Sequence, residues 1–194
     1  MSSASSKTRC SWCEGSDLYR SYHDTEWGVP LTDPQSLFRL LMLEGQQAGL
    51  AWITVLNKRA HMDQVFSGFD REFLVDKGPS LIEQWLQDPG LIRHRGKLSA
   101  LISNAEKALE MTNFGPWLWS FAAPDLRPPS SPVPAETPES QAMSKALKKA
   151  GFRFVGPTIC YAFMQSAGMV NDHHPDCWRY EACQKAVTKA LSQR

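Results

Sequence analysis

Apolar positions recur at three- and four-residue spacing along most of the chain and almost nowhere alternate in twos, so the pattern predicts an all-α or nearly all-α protein. The clearest helix opens at Asp33-Pro34, an aspartate suited to capping followed by a proline suited to the first turn. Leu37, Phe38, Leu40, Leu41 and Leu43 then form a broad apolar face, and Gly45 either interrupts the helix or marks close packing. A second segment covers residues 49–59 with Leu50, Ile53 and Val55 toward the core, and resumes weakly over 60–66. A short helix is expected over 79–87 and a longer one over 97–111. Six prolines from Pro124 through Pro138 mark an extended connector. Thr137-Pro138 starts a helix that runs to Ala150 with Gly151 behind it, residues 155–165 read as a buried helix, and 180–194 as a frayed, basic surface helix. Tyr22 and His23 fall in a short helix or turn that ends at Gly28 and Pro30.

Composition narrows the class. With 194 residues, 42% hydrophobic and 21% charged, the chain can bury one sizeable core. No apolar run approaches membrane-spanning length, and the opening Met1-Ser2-Ser3-Ala4-Ser5-Ser6-Lys7 reads as a flexible tail rather than a secretory signal. A formal net charge of +1 means that any polyanion site must be a local patch. Five cysteines, an odd count without a signal, favour a reducing compartment and metal binding over disulfides.

Three groups of residues carry candidate chemistry. Glu44, flanked by Gly45, Gln46, Gln47 and Gly49 between apolar helical segments, reads as a pocket floor, against the plainer reading of a helix-junction salt bridge. Seven tryptophans beside such a residue suit stacking on a planar ligand as well as core filling. Cys10, His23, His173 and Cys177 would complete a tetrahedral two-Cys, two-His site joining the two ends of the chain, with Cys13, His174 and Cys183 as rival ligands. Cys10 and Cys13 could equally form a redox pair. Finally, Asp88-Pro89-Gly90 followed by Arg93, Arg95 and Lys97 between two helices offers amides and cations to phosphate, or is an ordinary connection with a solvated basic face.

The motifs Arg9-Cys10-Ser11-Trp12, Tyr22-His23-Asp24-Thr25-Glu26-Trp27-Gly28-Val29-Pro30, Leu43-Glu44-Gly45-Gln46-Gln47-Ala48-Gly49-Leu50, Ile92-Arg93-His94-Arg95-Gly96-Lys97 and Asn171-Asp172-His173 resemble, in the same order, those of the 3-methyladenine DNA glycosylase I family. The resemblance spans Arg9 to Cys177. It implies a helix-hairpin-helix glycosylase fold of two helical lobes, with a flexible tail at 1–8, one domain of intertwined lobes at 9–180, and a basic helix or tail at 181–194. It implies excision of 3-methyladenine from double-stranded alkylated DNA in base-excision repair, without strand cleavage, by a cytoplasmic, bacterial-type monomer that does not engage membranes. Glu44 resembles the family's pocket carboxylate, Tyr22 its hydrogen-bonding tyrosine and Trp52 its stacking indole, with Trp12 and Tyr19 near the pocket. Gly49 and Leu50 match the wedge, and Gly90, Arg93, Arg95 and Lys97 the phosphate-binding hairpin, although Ile92 stands where many such hairpins have a second glycine. One structural zinc ion on Cys10, His23, His173 and Cys177 is implied as well. The family lacks its superfamily's catalytic aspartate, so Asp24, Asp172 and Asp176 receive no such role. The alternative from another class is a zinc-stabilised protein that binds alkylated or distorted DNA without excising bases.

Overall fold

A computed structural model describes residues 7–124, 126 and 132–193, and among them helices and turns occur without any strand. Residues 125 and 127–131 of the proline-rich connector and residues 1–6 of the tail lie outside the described residues. Helix α1 (Asp17–Thr25) is capped by Ser16, whose hydroxyl accepts from the Tyr19 amide, and it buries Tyr22 and His23. Helix α2 (Pro34–Gln47) starts at the Asp33 cap and buries Leu37, Phe38, Leu41, Met42, Leu43 and Glu44. It continues through Gly45 without a break, and a Cβ there would meet the Phe154 carbonyl oxygen at 3.4 Å, an ordinary contact.

Helix α3 (Trp52–Val65) is one uninterrupted helix, because no glycine or proline falls inside it and its polar stretch lies on the outer face around buried Val55, Leu56 and Met62. Leu50, expected toward the core, is instead 40% exposed at the tip of the loop before it. Helix α4 (Arg71–Gln87) begins eight residues before the expected start at 79. Asp70 caps the Phe73 amide at 2.7 Å, and burial of Leu74 and Trp85 carries the helix across its internal Pro79. It forms an antiparallel pair with α5 (Arg95–Leu109), and Gly78 faces Ile102 at a distance that leaves no room for a Cβ.

Helix α6 (Phe114–Trp119) has no counterpart in the sequence pattern, being too short for periodicity. It is held by buried Phe114, Leu118 and Trp119 and by the Trp119 indole donating to the Leu31 carbonyl at 2.7 Å. A reciprocal Thr137–Ser140 box opens α7 (Pro138–Lys149), which packs on α8 (Pro157–Ser166). Helix α9 (Tyr180–Leu191) is amphipathic rather than a loose surface helix, since Cys183 and Val187 are fully buried.

The main core runs through α2, α4, α5, α7 and α8. A smaller cluster of Cys10, Tyr22, Trp27, Leu56 and Cys177 joins the N-terminal segment to the segment after α8, where the Trp178 amide donates to the Thr8 carbonyl. Among the described residues, no helix is long and apolar enough to cross a membrane. Helix α2 thus passes from the main core to the smaller cluster and delivers Glu44 between them.

Candidate active site

A cavity of about 780 Å³ opens between α1, the end of α2, the start of α3 and the end of α8, edged by residues 8–12 and 172–176. Glu44 is fully buried in its wall. Its Oε1 accepts from the Ser166 hydroxyl at 2.8 Å, and Ser166 Oγ accepts in turn from the Tyr22 hydroxyl at 3.0 Å. Glu44 Oε2 has no hydrogen-bond partner, nor does the buried indole N–H of Trp52. Burial pushes the Glu44 carboxyl up to about 8, with the Ser166 hydrogen bond acting the other way. Burial, reinforced by the nearby Glu44 charge, also pushes the Tyr22 phenol up.

Aromatic rings surround the carboxylate. Tyr22 and Trp52 lie 5.6 Å apart in a tilted pair. Trp12 stands edge-on to Tyr19, Tyr22 and Trp27 and is itself 39% exposed at the mouth. The Tyr19 hydroxyl accepts from the Ile53 amide at 3.1 Å, fixing α1 against the first turn of α3. Glu44, Tyr22, Trp52, Trp12 and Tyr19, which the family resemblance groups around one pocket, line one cavity. Sequence reasoning missed Ser166, Gln165 and Trp27. It also left unassigned the cavity-wall Asp172, whose Oδ2 accepts from the Tyr161 hydroxyl and from Gln165 Nε2. Polar Gln165 and Ser166 at the end of an otherwise apolar helix were the available signal.

Beside the cavity, Cys10, His23, His173 and Cys177 are all buried, with one candidate ligand atom each and all four atoms within 4.8 Å of one another. Cys177 Sγ lies 3.4 Å from His23 Nε2 and 3.6 Å from His173 Nδ1, and Cys10 Sγ lies 3.7 Å from His173 Nδ1. The far nitrogens are engaged elsewhere: His23 Nδ1 with Asp24 at 2.8 Å and His173 Nε2 with the Trp27 carbonyl at 3.1 Å. With those nitrogens protonated, both lone pairs point at the thiols, an arrangement that suits a metal ion. Cys13, whose thiol donates to the Cys10 carbonyl, and Cys183 fall outside the group.

The loop between α2 and α3 carries Gly49, in the left-handed region at φ +76°, and exposed Leu50. The α4–α5 connection holds Gly90, whose amide donates to Asp88 Oδ1 and whose backbone packs so tightly on His61 that a Cβ would lie 2.3 Å from the ring. Arg93 is exposed, and Arg95 is exposed but forks onto Glu83 at 2.6 and 2.8 Å. Lys97 departs from the expected basic face: it is buried, and Nζ donates to the Gln46 and Ala48 carbonyls at 2.7 Å each. The last carbonyls of α2 have no intrahelical partner, and the ammonium supplies one.

A helical frame with a buried, half-satisfied carboxylate under aromatic rings, next to an exposed leucine loop and a hairpin with arginines, defines a DNA base-binding protein of the glycosylase type. The chain belongs to the methyladenine glycosylase family, whose model matches residues 12–180. It is similar to DNA-3-methyladenine glycosylase 1 of Escherichia coli, with 48% identity over 89% of this chain and 96% of that protein. A crystal structure of 3-methyladenine DNA glycosylase I superposes with a TM-score of 0.85 at 47% identity, covering 88% of this chain and 98% of the other. The Staphylococcus aureus enzyme, solved to show its recognition of 3-methyladenine, gives 0.83 at 32% identity over 89% and 96% of the two chains.

Proposed function

We propose that this chain excises 3-methyladenine from alkylated duplex DNA by hydrolysing the N-glycosidic bond, without cutting the strand. Methylation at N3 leaves adenine cationic and weakens its bond to the sugar, and the base then departs neutral, so no acid need protonate it. The task left to the protein is to hold the flipped cation where its bond can break. Glu44 Oε2, buried without a partner, supports this reading most directly: it offers an acceptor and a counter-charge to the base edge. The Trp52 and Tyr22 rings supply faces for stacking, which favour a cation over neutral adenine. Leu50 would fill the gap left in the duplex, and Gly90, Arg93 and Arg95 would hold phosphates, while no lysine is placed by motif for a Schiff base.

The Cys10, His23, His173 and Cys177 group would hold one zinc ion. Their sulfur–nitrogen contacts of 3.4 to 3.7 Å match the edge of about 3.6 Å expected for a tetrahedron with zinc's usual Cys and His bond lengths. Four protein ligands leave no open position, so the ion's contribution would be to tie the chain ends beside the cavity. A monomer acting on duplex DNA fits this arrangement.

Chromatography of bases released from N-methylated duplex DNA tests the reading. Release of 3-methyladenine by the protein and loss of on the order of a hundredfold or more in Glu44→Gln is expected. Tight duplex binding with no base released would favour the non-excising binder, and equal release by both proteins would move the chemistry away from Glu44.

A further inference from the structure

Glu44 is aimed by a residue that lies 122 positions away in sequence. Ser166 ends α8, is 8% exposed, and has one hydrogen to donate and lone pairs to accept with. It donates to Glu44 Oε1 at 2.8 Å and accepts from the Tyr22 hydroxyl at 3.0 Å. Both hydroxyl hydrogens therefore run one way, from Tyr22 to Ser166 to the carboxylate.

That direction has a chemical consequence. With Oε1 occupied by a donor, the ionised carboxylate can present only Oε2 to the cavity, and only as an acceptor. A base is then held through a donor on its edge, such as an exocyclic amine, and a base presenting an acceptor there leaves both groups unsatisfied. Deleting the Ser166 hydroxyl would free Oε1 to rotate, strip Tyr22 of its acceptor and remove the only hydrogen bond made to the buried charge among the described residues.

We propose that Ser166 is a positioning residue for base recognition and excision, its hydroxyl relaying Tyr22 to Glu44 so that Oε2 alone meets the lesion. The proposal rests on the glycosylase reading of the cavity. Other titratable groups border the same space. Tyr19 and Tyr22 come from α1, and Arg9, paired with Asp24, from the N-terminal segment along with Cys10. Asp172, His174 and Asp176 come from the segment after α8, and α3 contributes only the indole of Trp52. None of these forms a direct hydrogen bond or ion pair with Glu44 among the described residues, so Ser166 is the direct hold on its carboxylate.

The test compares the full chain with Ser166→Ala, measuring kcat/KM for 3-methyladenine release across pH and titrating the Glu44 side-chain carboxyl by carbon NMR in the DNA-free protein. Loss of a hydrogen bond to a charged group predicts a fall in kcat/KM on the order of tenfold to a hundredfold. Loss of a donor to the charged form also predicts that the acid limb and the Glu44 titration move to higher pH by about one unit. A general loosening of packing would lower the rate without moving either titration, and unmoved titrations would overturn the proposal. If the unsubstituted chain released no 3-methyladenine, the glycosylase reading would fall, and the NMR titration would still decide whether Ser166 holds Glu44.

Discussion

Where the N-terminal segment meets the segment after α8, both far ring nitrogens of the buried group have partners: His23 Nδ1 lies against Asp24, and His173 Nε2 against the Trp27 carbonyl. Asp24 in turn takes hydrogen bonds from Arg9 and the Trp178 indole. Burial would raise the Asp24 carboxyl, but its hydrogen bonds with Arg9, His23 and Trp178 outweigh that and hold it well below the usual range. In the adjoining cavity, Glu44 keeps one oxygen unpartnered and Trp52 an indole N–H, and the Glu44 carboxyl is pushed up to about 8. The two sites share the aromatic wall of Trp12 and Trp27. The contrast teaches that burial alone does not mark function. A buried polar group with all its partners builds the frame, and one left half-satisfied in a cavity waits for a ligand.

Glu44→Gln is the strongest way to break the comparison. It should reduce base release on the order of a hundredfold or more while leaving the melting temperature unchanged or higher, since it removes a buried titratable carboxyl, whose proton the fold must retain, that only Ser166 supports among the described residues. A melting temperature that collapses with the activity would place Glu44 among the frame residues. Cys177→Ser should do the reverse, lowering stability by on the order of 3 kcal/mol or more and abolishing the response of the melting temperature to a chelator. Activity would then fall in step with the folded fraction. Metal analysis of the purified protein, expected at one zinc per chain, accompanies that measurement; no bound metal with unaltered stability would remove the metal from the frame.

The two sites were not equally legible in the sequence. Glu44 showed because a carboxylate among glycines and amides interrupts an apolar helical face, whereas Cys10, His23, His173 and Cys177 were one choice among several Cys and His residues until the family resemblance singled them out. Ser166 did not show, since a serine at the end of an apolar helix has many harmless uses, and its meaning depends on α8 meeting α2. Lys97 was misread for a related reason. In a run with Arg93 and Arg95 it looks solvated, and only the turn of chain after α2 reveals carbonyls that need a donor. Helix α4 was cut short at Pro79 because proline normally ends a helix, whereas here the Asp70 cap and buried Leu74 lie on its far side.

The pH dependence of stability sharpens the contrast at smaller scale. The Glu44 carboxyl titrates near 4.5 when free and near 8 in the folded protein, so the folded chain holds that proton more tightly. Below about 4.5 both states are protonated and Glu44 contributes no difference. As pH rises toward 8 the unfolded chain has released the proton and the folded one has not, so stability falls across that window and levels off above it. Glu44→Gln lacks the effect, and its advantage over the unsubstituted chain should grow between pH 5 and 8 to about a few kcal/mol in chemical denaturation. A constant difference across that range would mean that Glu44 is ionised before the lesion arrives.

The smallest expected effects separate the hairpin's cations. Arg93→Ala should weaken damaged and undamaged duplex alike and lower the salt slope of binding by about 1, because it would remove one phosphate contact that carries no base information. Arg95→Ala should do the same to a lesser degree, since its guanidinium must first leave Glu83. Lys97→Met should leave the slope unchanged and lower excision, because Nζ spans the Gln46 and Ala48 carbonyls just before Gly49 and Leu50. Its loss would loosen the wedge loop rather than the phosphate grip. A Lys97→Met slope that drops like that of Arg93→Ala would mean that the ammonium leaves α2 to reach DNA. The hairpin would then bind phosphate with the same group that closes the frame, and the separation between frame and site would fail at this residue.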